Sequence, residues 1–88
     1  MKMIIAIIRD TDYGPISHGL TIADFRVTHI ASTGSFLRRG QSTLLIGVED
    51  DQLEHALDII RKNCTKASEN DPRHTIIFVL KVDDFLHF

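Results

Sequence analysis

The chain has 88 residues, a formal charge of −2 and a pI near 6.2. A single domain over residues 1–88 is expected, because two cores would leave each half too little surface to bury. With 43% hydrophobic residues and two prolines the chain is not of disordered composition, and without a net basic charge it lacks general attraction to nucleic acid or an anionic membrane.

The opening MKMIIAIIRD is too short in apolar residues for a signal-peptide core or a membrane span, which makes the cytoplasm the default location. Met3 to Ile8 reads as a strand buried on both faces. In DTDYGPISHGLTIAD, Ile16, Leu20 and Ala23 fall on one face and Pro15 suits a first turn, so a short helix from about Tyr13 to Ala23 is expected. Phe25 to Thr33 and Ser42 to Glu49 are β-branched enough for two strands of a hairpin around ASTGSFLRRGQST. If Thr33 pairs with Ser42, then Thr28 lies opposite Gly47 and Arg26 opposite Glu49.

Residues 50 to 64 carry an apolar stripe of Leu53, Ala56, Leu57, Ile60 and Cys64, with acids first and Arg61-Lys62 last, the pattern of an amphipathic helix. Asp51 and Glu54 have the spacing of a capping box. Thr75 to Val82 is a last strand, followed by a short turn from Asp83-Asp84 to Phe88. The order βαββαβ predicts an α+β, ferredoxin-like sandwich with four antiparallel strands and two helices on one face. Because IIAII, TLLIGV and IIFVL are apolar on both sides, the other face needs a cover. A symmetric homo-oligomer supplies one, and the C-terminal segment folding back is the competing solution.

Chemistry is sparse. His18, His29, His55, His74 and His87 are dispersed, with no metal-ligand spacing, and Cys64, the only cysteine, sits on the helix stripe as a structural thiol. No nucleophile lies in a catalytic motif, so no enzyme is expected. Strand parity puts Arg26, Thr28 and Ile30 on one face in any register. Gly47 interrupts a bulky run, which marks either a close approach by a ligand or another backbone, or else a bulge or a tight helix contact. Backbone N–H groups after Gly34 suit a phosphate and Phe36 suits a base, although Gly and Arg are also ordinary turn residues.

The stretch FRVTHIASTGSFLRRGQSTLLIGVEDDQLEHALDIIRKNC, with MIIAIIRDTD before it and FVLKVDDFLHF after it, resembles the PII-like cyclic-di-AMP receptor proteins over most of the chain. The resemblance implies a non-enzymatic signalling receptor, without a further cofactor, assembled as a homotrimer. It would bind cyclic di-AMP, or another adenine nucleotide, in clefts between subunits and pass the signal to a downstream protein. It also implies that Arg26 and Thr28 contact adenine or phosphate, that Phe36 and Leu37 meet the ligand from the loop, that Gly47 lets adenine close, and that His87 reaches it from the tail.

Four positions near that site depart from the family pattern: Asp24 for Asn, Ser35 for Gly, Gln41 for Asn and His87 for Gln. A carboxylate at 24 would repel a phosphate by about 1 kcal/mol at ~4 Å in a water-like medium and about 4 kcal/mol at an effective dielectric of ~20. It could instead accept from an adenine amino group or pair with Arg26. The segment TKASENDPRH is also shorter than its family counterpart. The alternative function is therefore a diverged trimeric interaction module on the same scaffold that has lost or changed its nucleotide.

Overall fold

A computed structural model of the chain describes residues 1–30, 40–64 and 75–83. Its elements are β1 (Lys2–Arg9), α1 (Asp10–Ile22), β2 (Val27–Ile30), β3 (Gln41–Val48), a 3-10 turn (Asp50–Gln52), α2 (Leu53–Lys62) and β4 (Ile76–Lys81). The strands form one sheet in the order β2-β3-β1-β4, antiparallel at every junction. Both helices share one face of it, which makes the molecule an α+β, ferredoxin-like fold.

The core follows from strand alternation. Ile4, Ala6 and Ile8 of β1 and Leu44, Ile46 and Val48 of β3 point into the helix layer and meet Ile16, Leu20, Ala56 and Ile60. The helices approach closely at Gly19, where a Cβ would stand 3.0 Å from Ile59 Cγ2 and 3.3 Å from Asn63 Nδ2. Cys64 donates to the Ile60 carbonyl at 2.9 Å and lies 3.1 Å from Thr75 Oγ1, the placement of a structural thiol.

Several expectations need correction. α1 begins directly after β1, because the Asp10 N–H donates to the Gly40 carbonyl at 2.8 Å and Ser42 Oγ donates to the Asp10 carboxylate. Pro15 therefore falls in the second turn, where it withholds an N–H from the Thr11 carbonyl. Gly40 itself has φ 86, a turn conformation that glycine adopts without steric cost. The capping box does not form: neither the 3-10 turn nor α2 has a side-chain cap bond, and the helix is entered through the 3-10 turn instead.

β1 is fully buried on one face only. Met3, Ile5 and Ile7, on the face away from the helices, are half-buried. β4 is exposed along its whole length, with Phe78 51% and Leu80 49% accessible. The hairpin register also differs. Val27 pairs with Ile46 and Thr28 with Leu45, so Gly47 is not the partner of Thr28. The displacement is two residues, an even number, so every side chain keeps the face that parity assigned to it.

Candidate functional site

The chain enters β2 through a turn that fixes its phase. Beyond the C-cap of α1 at Ala23, the Asp24 N–H donates to the Thr21 carbonyl at 3.0 Å and the Phe25 N–H to the Leu20 carbonyl at 2.9 Å. These two bonds make a Schellman motif, and its middle residue, Asp24, takes φ 70. Asp is among the few non-glycine residues that visit this region readily. Phe25 then turns inward against the core, its ring 5.6 Å from His55 and edge-on to it. Arg26, next along the extended chain, is exposed.

At this end of the sheet lies a cleft of about 340 Å³ lined by Asp24, Phe25, Arg26, Gly47, Glu49 and Gln52, with Met1, Ala23 and Val48 completing its wall. Three residues singled out from the sequence, Asp24, Arg26 and Gly47, are thus brought together. Among the described residues neither the Asp24 carboxylate nor the Arg26 guanidinium has an ion pair or side-chain hydrogen bond, so they do not pair with each other.

Gly47 has neither of the structural explanations open to it. It pairs regularly with Met3 inside β3, so there is no bulge, and a Cβ there would meet only the end of the Met1 side chain at 3.4 Å, an ordinary contact. Nothing among the described residues requires glycine at 47. What the missing side chain leaves is a flat approach beside a donor and two carboxylates.

The remaining site candidates spread along the same surface. Strand alternation puts Gln41, Thr43, Leu45 and Gly47 of β3 on the face away from the helices, with Thr28 opposite Leu45 and Ile30 opposite Thr43. Thr28 is exposed, and Gln41 is buried where it pairs with Arg9. Gln41 and Gly47 stand at opposite ends of β3, about 20 Å apart at ~3.3 Å per residue. Phe36, Leu37 and His87, as well as Ser35, the segment 65–74 and the tail from 84, lie outside the described residues.

Between Gln41 and Leu45 the Thr43 hydroxyl is buried without a hydrogen-bond partner among the described residues. Sequence reasoning missed Glu49, Gln52 and Phe25 as lining residues. The signal for the first two was their position at the exit of β3, across the sheet end from the turn at Asp24. No group of His, Cys, Asp and Glu among the described residues has the arrangement of a metal site. No helix among them is long and apolar enough to cross a membrane.

Two comparisons bear on this geometry. The family described as cyclic-di-AMP receptor matches residues 1–70. A crystal structure described as a functionally unknown protein from Pediococcus pentosaceus ATCC 25745 superimposes with a TM-score of 0.76 at 29% identity, over 99% of this chain and 96% of that one. The chain belongs to the cyclic-di-AMP receptor family.

Proposed function

We propose that this member of the family is a non-enzymatic, PII-like receptor, a single domain over residues 1–88, that binds cyclic di-AMP in clefts between the subunits of a cytoplasmic homotrimer. The observation that carries the reading is the placement of the Arg26 guanidinium, without a partner among the described residues, beside the side-chain-free surface of Gly47 on the sheet face away from the helices. Arg26 donates to a phosphate, and the purine lies against Gly47. Thr28 adds a hydroxyl on the same strip, and Phe36, Leu37, Gln41 and His87 complete the ligand shell by the family pattern.

The roughly 20 Å between Gly47 and Gln41 supports a site assembled from two copies, since residues at opposite ends of one strand meet a single ligand more readily across a subunit boundary. Met3, Ile5, Ile7, Ile76, Phe78 and Leu80 supply the apolar surface for such a boundary.

Calorimetric titration of cyclic di-AMP, paired with sedimentation equilibrium, tests both parts. The expected result is a trimer that binds one ligand per subunit. An intact trimer giving no heat at high micromolar ligand would overturn the receptor reading, and a monomer that binds the ligand would overturn the intersubunit reading.

One observation favours the alternative of a diverged interaction module: the cleft sets two carboxylates, Asp24 and Glu49, against one guanidinium. That module gives no thermal shift with any member of a panel of adenine nucleotides.

A further inference from the structure

β3 begins in the grip of one residue. Asp10, the first residue of α1, donates its main-chain N–H to the Gly40 carbonyl at 2.8 Å, and its carboxylate accepts a hydrogen bond from the Ser42 hydroxyl. It thus holds the residues on either side of Gln41, whose backbone stands opposite Arg9 in the last rung of the β1–β3 ladder. Alternation sends the neighbouring side chains apart. Ser42 points to the helix layer with Leu44 and Ile46, where Asp10 meets it, and Gln41 points to the opposite face.

The strand pair as a whole has other supports. β1 and β3 are paired from Lys2 with Val48 to Arg9 with Gln41, and their inner faces share the buried core. A ladder opens first at its ends, however, and this end follows Gly40 at φ 86, the residue type with the widest backbone freedom. The rung that the grip secures is therefore the one that would fray, and it is the rung that carries Gln41.

We infer that Asp10 is a positioning residue for the nucleotide site: through Gly40 and Ser42 it fixes, from the helix side of the sheet, the backbone from which Gln41 reaches the ligand on the other side. The inference rests on the receptor reading above, in which Gln41 belongs to the ligand shell. Without the carboxylate the last rung opens and Gln41 samples several positions. The ligand then has to order it on binding, and affinity falls.

The test is calorimetric titration of cyclic di-AMP into the wild type, Ser42→Ala, Asp10→Ala, Gln41→Ala and the double variant Ser42→Ala/Gln41→Ala, with sedimentation and thermal melts of each. Ser42→Ala and Asp10→Ala are each expected to weaken binding about tenfold with the assembly intact. On the Gln41→Ala background, Ser42→Ala is expected to change affinity by less than about twofold, because the side chain to be positioned is gone. Ser42→Thr keeps the hydroxyl and is expected to recover most of the loss. Full affinity in Ser42→Ala and Asp10→Ala would overturn the positioning role and leave the receptor reading standing. So would a loss that persists undiminished on the Gln41→Ala background, since a general loosening of the fold does not depend on residue 41. Wild-type affinity in Gln41→Ala would likewise overturn it, by removing the contact to be positioned. Asp10→Ala also takes an acid from the first turn of α1, and if it melts far below the wild type, the Ser42 variants decide. An intact wild-type trimer that binds no cyclic di-AMP would overturn the receptor reading and this inference with it.

Discussion

The face of the sheet turned away from the helices is divided lengthwise into two strips. On the β1–β4 side, opposite pairs are Met3 with Leu80, Ile5 with Phe78 and Ile7 with Ile76, without a polar side chain among them. On the β2–β3 side the same surface mixes Thr28, Gln41, Thr43 and Gly47 with Ile30 and Leu45, and is continued by Arg26 just before β2. Backbone geometry is regular across both, so the strips differ only in what their side chains need. Apolar groups left half-exposed among the described residues call for another apolar surface, whereas in the receptor reading proposed above Arg26 and the bare backbone at Gly47 meet a polar, flat ligand. A fold that packs its helices on one sheet face can divide the other between two separate tasks.

The largest expected effect comes from putting a charge on the apolar strip. Phe78→Asp should be tolerated by the single chain, where residue 78 is about half exposed, but in the proposed trimer it would bury an unpaired carboxylate at a cost of about 3 kcal/mol or more. Sedimentation should show monomer at concentrations where the wild type is fully assembled, with ligand binding lost as well. An assembled variant would erase the distinction between the strips.

On the polar strip, Arg26→Ala should leave the assembly intact and weaken cyclic di-AMP binding by about 10- to 100-fold. That is the equivalent of a charge-assisted hydrogen bond worth about 1.5–3 kcal/mol. Equal loss of assembly and binding would contradict the division. Gly47→Ala should cost about tenfold in affinity while the melting temperature holds or rises, since Gly in a strand is less stable than Ala by about 0.5–1 kcal/mol and the new Cβ meets only Met1 among the described residues.

Changes in the helix layer sharpen the comparison by touching neither strip. Gly19→Ala crowds Ile59 and Asn63 and should lower stability by about 1 kcal/mol, the overpacking exceeding the gain in helix propensity. Gly14→Ala meets nothing within 4 Å and should raise stability by about 0.5–1 kcal/mol. Thermal melts should separate the two variants by several degrees at unchanged ligand affinity, at about 4–8 °C per kcal/mol for a domain of this size.

The smallest effect is electrostatic. A hydrogen bond from Lys62, 2.9 Å away, holds the half-exposed Asp58 carboxyl below its ordinary value of 3.8. A carboxyl depressed on folding stabilises the folded state above its unfolded pKa and loses that contribution as pH falls through its folded value. The melting difference between wild type and Asp58→Asn should therefore be small at neutral pH, shrink in high salt, and vanish below the ordinary carboxylate range.

Much of this organisation was legible in the chain, for identifiable reasons. Continuous apolar runs and one strongly amphipathic stretch fixed the element order, and parity placed Arg26 and Thr28 on one common face even though the assumed pairing was two residues out. The register itself was hidden because hairpin pairing is set by the connection, whose geometry neither glycine nor arginine content determines. The early start of α1 was hidden by Pro15, which argued for a first turn, while the bonds from Asp10 to Gly40 and from Ser42 to Asp10 come from residues distant in sequence. The Schellman turn had a local signal, an Asp two residues beyond a helical repeat. Its place beside Glu49 and Gln52 needed the folded sheet.

That turn gives the receptor a phase as well as a direction. With Asp24 left-handed, Phe25 is committed inward, and each later residue of β2 inherits its side from that choice. One residue added between Asp24 and Phe25 would leave α1 and the hairpin individually sound yet exchange the two sides of β2, turning Arg26 and Thr28 toward the apolar layer and Val27 and His29 outward. Two added residues would restore the arrangement. Counted along the chain, the cleft is therefore sensitive to whether a length change is odd or even more than to how long it is, and a strand of four residues is enough to carry that memory from helix to cleft.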